Sequence, residues 1–294
     1  KDALRRDFSI NAIYVDINGR IFDPLNGTLD LKNGIVKFIG SPLERIQEDY
    51  LRIIRYFRFF TYYSKHGHEK QTINSIKQSI NGINKISNER IFEELKKILI
   101  LKNVYNLFSN KESKEIILNI FPQFKYYERL KVFCNLNNSL RRKYDNWLIL
   151  ALLVLDETKN YEYFCYKYKL PNSVKNRFKK ISTNFENVKK KKFYLEENIN
   201  KEIYLNGKDY VRDLLLFSIC SFDKRRILHT EKLINYLEKY KKPKFPISGN
   251  DLKKYGYETG EILGKKLKSL EKKWIDDGFK IEKKTIKKTL NKLI

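Results

Sequence analysis

The chain has 294 residues, of which 41% are hydrophobic and 14% aromatic. That content suffices for two or three packed units and excludes a basic disordered tail. Lys and Arg number 61 against 35 Asp and Glu, leaving +26, a field that favours a polyanionic partner because each cation beside a phosphate releases a counterion. A Lys-, Asn- and Ile-rich composition also follows from AT-rich coding, but that bias would raise Glu together with Lys, and the acids lag. No apolar run approaches the roughly 20 residues of a membrane span, and no secretory leader is visible. The three cysteines, Cys134, Cys165 and Cys220, are too far apart for a disulfide framework or a zinc knuckle, so the expected compartment is the reducing cytoplasm. The chain opens at Lys1 without an initiator, which predicts a truncated beginning.

In chain order, Phe8 to Ile17 alternates as a strand, Asn18-Gly19 supplies two positive-φ positions for a hairpin, and Arg20 to Phe22 returns. Asp23-Pro24-Leu25-Asn26-Gly27 reads as turn chemistry, and Ile35 to Ile39 as a further short strand. Everything beyond Gly40 reads as helix. Ser41-Pro42-Leu43-Glu44 has the form of a capping box with proline at the first helical position, opening a helix expected to run to about Tyr63. A second helix starts at Ser87, with Ile86 and Ile91 as a staple and residues 91, 92, 95, 98 and 99 tracing one apolar face. From 103 to 240 the pattern is helices rich in Tyr, Phe and Lys, broken near Pro122, Pro171 and Asn206-Gly207. Lys241 to Pro246 reads as a linker into a small tail, where Gly249, Gly256, Gly260 and Gly264 punctuate short helices ending near Trp274. The expected fold class is therefore mainly α with a small β remnant.

The helix around Glu48-Asp49-Tyr50-Leu51-Arg52-Ile53-Ile54-Arg55-Tyr56-Phe57-Arg58 carries the most specific chemistry. At 100° per residue Ile46, Tyr50, Ile53, Ile54 and Phe57 gather on one side, while Asp49, Arg52, Arg55 and Arg58 fan round the other. A carboxylate beside a guanidinium offers an acceptor next to a donor. That pair complements the edge shared by cytosine and adenine, an amino group beside an acceptor ring nitrogen, and opposes guanine and uracil. Each good two-point contact is worth about 1–3 kcal/mol of discrimination. The same spacing is also that of an ordinary intrahelical ion pair, worth a few tenths of a kcal/mol. Upstream, Arg5-Arg6-Asp7 sets charge before a strand, either as surface charge or as a group that meets phosphate or ribose.

Four segments in order resemble motifs of one family: Arg5-Arg6-Asp7-Phe8-Ser9-Ile10-Asn11; Asp23-Pro24-Leu25-Asn26-Gly27-Thr28-Leu29-Asp30-Leu31; Glu48 to Arg55; and Ser87-Asn88-Glu89-Arg90-Ile91 with Glu94. The family is that of the class II tRNA nucleotidyltransferases, which add CCA to tRNA 3′ ends from CTP and ATP, and the bacterial poly(A) polymerases, which use ATP alone. Ser248 to Trp274 resembles the carboxyl-terminal region of bacterial members. The resemblance implies the end of a nucleotidyltransferase head over 1–40, a helical neck that reads the base over 41–102, an RNA-binding helical body over 103–240 and a tRNA-binding tail over 241–294. It implies that Arg6 lies beside the incoming nucleotide, that Asp49 and Arg52 form the protein template, and that Arg55 and Arg58 make further nucleotide contacts. Asp7, Asn11, Asp23, Gly27, Asp30, Ser87, Arg90 and Glu94 become structural supports, with the 23–31 segment joining head to neck and moving between additions.

The family's Asp-x-Asp strand, which binds two Mg2+ ions, has no counterpart here, so this chain contributes no expected metal ligand or catalytic carboxylate and is expected to be inactive alone. A non-catalytic basic RNA-binding protein is the alternative from another class. His66-Gly67-His68 has no third ligand in sight and is not expected to bind metal. The cysteines are expected to be buried and inert, and Lys189 to Lys192 to be a solvated run.

Overall fold

The computed structural model describes residues 2–156, 158–221, 227–280 and 284. The only described sheet has two strands, β1 (Tyr14–Val15) and β2 (Ile21–Phe22), paired antiparallel with Tyr14 opposite Phe22; the remainder is helical, as the pattern predicts. Two compact units divide between Thr183 and Asn184, inside the stretch expected to form one body.

The strand expected over Phe8 to Ile17 is mostly not one. The Asn11 carboxamide accepts the Phe8 N–H at 3.2 Å, and Asn11 N–H itself turns back to Phe8 O at 3.2 Å, so residues 9–11 curl into a 3-10 turn. Such local side-chain bonding competes directly with a ladder. Ile35 to Ile39 likewise shrinks to one bridge, Phe8 opposite Phe38, flanked by Ile39 N–H to Asp7 O at 3.0 Å. The hairpin turn also differs. Only Gly19 takes positive φ, at 76°, while the Asp16 carboxylate accepts the N–H groups of Asn18 and Arg20, both at 2.8 Å. Asp16 thus supplies locally what a second positive-φ residue would have supplied.

A helix that the sequence reading missed, α1 (Gly27–Asn33), begins inside the second motif. Asp23 initiates it by accepting Gly27 N–H at 2.7 Å and Thr28 N–H at 2.8 Å, an acidic group against the orphan donors of a first turn. The long helix expected from Pro42 to Tyr63 is two helices, α2 (Pro42–Glu48) and α3 (Arg52–Tyr63). Asp49 between them is extended, with φ −154° and ψ 104°, and its carboxylate accepts Leu51 N–H at 3.1 Å. Proline sits at the start of α2 as expected, but the Ser41 side chain makes no cap bond, so there is no capping box. The apolar face survives the break, since Ile46, Ile53, Ile54 and Phe57 are buried. Phe38, stacked 5.8 Å from Tyr56, and Phe8, 6.2 Å from it, seat the β remnant on α3.

Helix α4 (Lys70–Ser79) packs against α2 and leads into a 3-10 segment, Ile80–Lys85. Helix α5 (Asn88–Leu99) starts where predicted. The Ser87 hydroxyl accepts Arg90 N–H at 3.4 Å, and Ile91, Phe92, Leu95, Ile98 and Leu99 are all buried. After α6 (Asn106–Ser109) and α7 (Lys111–Ile120), the first unit includes the helix Asn146–Val154, apolar beyond Asn146 and buried from Leu148 onward. The predicted breaks at Pro122, Pro171 and Gly207 all separate helices.

The second unit is built round helix Lys208–Ser221, whose Leu214, Leu215, Leu216 and Phe217 are fully buried. Its helix Glu261–Asp276 contains Gly264, which therefore does not punctuate anything. Trp274 on this helix meets Tyr204 of helix Glu196–Asn206 at 5.5 Å, and the Tyr204 hydroxyl donates to Glu271 at 2.5 Å. No described helix is long and apolar enough to cross a membrane.

Candidate nucleotide-recognition site

The first and second motifs clasp each other. Buried Asp30 on α1 accepts the Ser9 hydroxyl at 2.5 Å and pairs with Lys37 at 3.0 Å. Gly27 is needed at this crossing, because a Cβ there would stand 2.2 Å from Ser9 O. The clasp fixes the 5–11 segment, and with it Asp7, beneath α3.

Asp7 is the pivot of the charged cluster. Only 7% exposed, it receives Arg52 Nε at 2.9 Å on one oxygen and Arg55 Nε on the other. Arg52 Nη1 donates further to Glu48 at 2.5 Å and to Arg45 O at 2.7 Å. Arg45 Nη1 also holds Glu48, at 2.5 Å, while its Nη2 ties down the backbone carbonyls of Arg5 and Arg6 at 2.9 and 2.5 Å. The hydrogen bond from Arg52, and then that from Arg45, hold the Glu48 carboxyl below the ordinary range. From the other side α5 presents buried Glu94, which pairs with Arg58 at 2.9 Å, Lys97 at 2.7 Å and Arg55 at 3.8 Å. Burial raises the Glu94 pKa, but the Lys97 hydrogen bond and the Arg58 charge outweigh it and leave it lowered. Charge-assisted pairs in a partly dry setting explain how several guanidiniums can crowd one face of α3.

The structure therefore changes the predicted fan. Asp49 is not on a helix with Arg52, because it stands in the break; its backbone carbonyl accepts Arg52 N–H at 3.0 Å, so the two side chains leave neighbouring points of the chain. The second Asp49 oxygen is held by Arg90 Nη2 at 2.7 Å. Among the described residues Arg52 Nη2 has no protein acceptor, whereas both Asp49 oxygens are engaged, by Leu51 N–H and by Arg90. Arg55 and Arg58 are brought to the same cluster, with side chains 29% and 22% exposed. Arg6 is not: its guanidinium pairs with Asp2 at 3.1 Å and lies 5.9 Å from the Tyr14 ring centre, joining the cluster only through its backbone.

Of the residues expected as supports, Asn11 and Asp23 close turns, Ser87 caps α5, Glu94 pairs with Arg58 of α3 and Arg90 with Asp49 in the break. Arg45 and Glu48 were overlooked as members. The Arg-x-x-Glu-x-x-x-Arg spacing from 45 to 52 was their available signal, since i, i+3 and i, i+4 neighbours meet on a helix. Tyr50 was read only as apolar, yet it wedges against Gly82, where an added Cβ would lie 2.1 Å from its ring. That wedge backs the Asp49 turn.

Among the described residues no group of three or more His, Cys, Asp or Glu comes together as a metal site. Each carboxylate of the cluster is already neutralised by arginine or lysine, a donor set that does not suit Mg2+, and no step is derived through that ion. His66 meets Asn33 O at 2.9 Å, while His68 is wedged between Tyr56 and Ser113 and stacks on Phe60 at 3.7 Å. Cys165 and Cys220 are buried and Cys134 half-buried, all three as free thiols; burial pushes the Cys165 thiol up to about 11.

Residues 1–37 match a family model described as Poly A polymerase head domain, and residues 69–128 one described as Probable RNA and SrmB-binding site of polymerase A. The chain is 31% identical over 290 residues to the human protein CCA tRNA nucleotidyltransferase 1, mitochondrial, covering 96% of this chain and 64% of that protein. It is 31% identical over 312 residues to the Danio rerio protein of the same name, covering 99% and 67%. In fold it is similar to the Bacillus stearothermophilus CCA-adding enzyme solved in complex with CTP, with a TM-score of 0.68 at 22% identity over 99% of this chain and 73% of that one. The chain thus spans about 64% of the length of the human relative. With its four motifs gathered into one cluster and its whole length aligned, the chain belongs to the CCA-adding enzyme family, the class II tRNA nucleotidyltransferases.

Proposed function

We propose that this chain is the nucleotide-selecting and tRNA-holding part of an enzyme that adds C, C and A to tRNA 3′ ends from CTP and ATP. The observation that carries the reading is the pair formed by Asp49, presented by the α2–α3 break, and Arg52, held rigidly by Asp7 and Glu48. Asp49 would accept the amino group of cytosine or adenine while Arg52 Nη2 donates to the adjacent ring nitrogen. Guanine and uracil would set carbonyl against carboxylate and N–H against guanidinium, leaving partly buried polar groups unpaired. Arg90 holds the Asp49 carboxylate in the absence of nucleotide, so the base takes over one of its acceptor oxygens.

Arg55 and Arg58, whose side chains are 29% and 22% exposed, would meet the phosphates or ribose. Arg6 would need to leave Asp2 to join them. The surplus of +26 supplies the long-range attraction for tRNA, and the relatives' names, which include tRNA nucleotidyltransferase and CCA-adding enzyme, support that substrate. Mg2+ would be supplied to the intact enzyme through carboxylates outside the cluster described.

The test is incorporation of each nucleoside triphosphate onto tRNA lacking its 3′ end by the full-length protein. Addition of CTP and ATP is expected, and Arg52→Ala is expected to relax rejection of UTP and GTP by about tenfold or more, the value of one lost two-point contact. Unchanged selectivity would refute the roles of Asp49 and Arg52. The match to a poly(A) polymerase head favours one second reading, ATP-only addition, and failure to incorporate CTP would establish it.

A further inference from the structure

On the far side of the 3-10 segment Ile80–Lys85 lies a polar cavity of about 180 Å³, enclosed between that segment, the start of α5, the end of α7 and the end of helix Asn160–Lys167. Four asparagines line it, Asn81, Asn84, Asn88 and Asn119, together with Lys167 and Tyr168. Among the described residues none of the four carboxamides has a hydrogen-bond partner. Tyr168 is 3% exposed and its hydroxyl is buried without a partner. A hydroxyl left unmet in an interior is costly unless something else meets it, whereas Asn81, Asn84 and Asn119 are exposed and Asn88 is half-buried. Buried Ile83 and Ile91 also line it.

Size and chemistry narrow the ligand. The cavity falls below the roughly 300 Å³ at which drug-sized sites begin, so it admits a planar ring system and not a whole nucleoside triphosphate. Amides carry donors and acceptor side by side, which is how asparagine reads the edge of a base. Lys167 stands where it can meet a phosphate of the same strand. Nearly all of this lining lies in the 69–128 segment that matches the RNA-binding family model, and Lys167 and Tyr168 complete it from outside.

We propose that this cavity receives one unpaired nucleobase of the bound RNA, separate from the nucleotide read by Asp49 and Arg52. The proposal rests on the tRNA-holding reading above. Proteins that recognise RNA sequence splay single bases into such pockets, and an unpaired base costs little to extrude.

The test uses the full-length chain and fluorescein-labelled tRNA lacking its 3′ CCA, with Kd measured by anisotropy across a salt series for the wild type and for the double variant Asn84→Ala/Asn119→Ala. Both asparagines are exposed, so the fold is retained, which thermal melting verifies. The expected result is a Kd raised about tenfold with an unchanged slope of log Kd against log salt, because neutral amides release no counterions. Equal affinity in the two proteins overturns the pocket while leaving the tRNA-holding reading in place. A loss accompanied by a shallower slope also overturns it, by assigning the contact to phosphate. Protection of the wild type, but not the variant, by adenosine or cytidine alone, with tRNA affinity unchanged, assigns the cavity to free nucleoside and overturns the RNA base. Wild-type protein that fails to bind tRNA refutes the underlying reading and the pocket together.

Discussion

Replacing Glu94 with alanine tests whether α3 and α5 are held together by charge. Glu94 is 3% exposed and is shared by Arg58, Lys97 and, more distantly, Arg55. Removing one partner of a buried ion pair costs about 3–5 kcal/mol, because the opposite charge is left desolvated. Here the discount is real: Lys97 is 51% exposed and Arg58 22%, so both can turn partly to water. The expected loss is therefore at the lower end, about 3 kcal/mol, and Glu94→Gln, which keeps the shape and one acceptor for Arg58, should lose less. Urea unfolding of the full chain, followed by Trp147 fluorescence in a Trp274→Phe background, reads the first unit, since Trp147 stacks on Phe92 of α5 at 5.9 Å. A loss below about 1 kcal/mol, the scale of a surface pair, would refute the claim that this carboxylate organises the cluster.

His68 makes the first unit sensitive to mild acid. Burial lowers its pKa from 6.5 to about 4, so the folded state refuses a proton that the unfolded chain accepts. Its stabilising contribution is complete above pH 6.5 and falls away as pH drops towards 4, by up to about 2 kcal/mol between pH 7 and 5; His68→Gln should flatten that part of the unfolding free energy against pH, and an equally steep curve would exclude His68 as its source. Gly82→Ala forces the Tyr50 ring to move, at a cost of about 1–3 kcal/mol for an overpacked contact. Because Tyr50 backs the Asp49 turn, CTP and ATP incorporation by the full-length enzyme should fall along with the urea midpoint. A destabilised variant with full incorporation would separate the wedge from nucleotide reading.

How much of this was legible in the sequence depends on the range over which each feature is determined. Helix α5 could be read outright, since Ser87 and the apolar positions from 91 to 99 are local signals that agree. The break at Asp49 could not, because the apolar period runs through it undisturbed and its support, the Tyr50–Gly82 wedge, comes from 32 positions away. The strand at Phe8 was lost to one carboxamide, Asn11, which outbids a weak two-residue ladder. That Asp49, Arg52, Arg55 and Arg58 would gather was visible in their spacing. Their partners, Asp7 at a separation of 45 residues from Arg52 and Glu94 at 36 from Arg58, are long-range choices that no local pattern encodes.

Asp7 grips Arg52 with one oxygen and Arg55 with the other, while Arg45 secures the carbonyls on its amino-terminal side. The 5–11 segment is in this way moored to α2 and α3 by directional ionic tethers, not by greasy contact alone. Such tethers resist sliding: a displacement of that segment by a fraction of a hydrogen-bond length must either carry both guanidiniums along or rupture a fork whose charges have little water to fall back on. Any shift of the 5–11 segment would hence be felt at the Arg52 guanidinium as a change of aim.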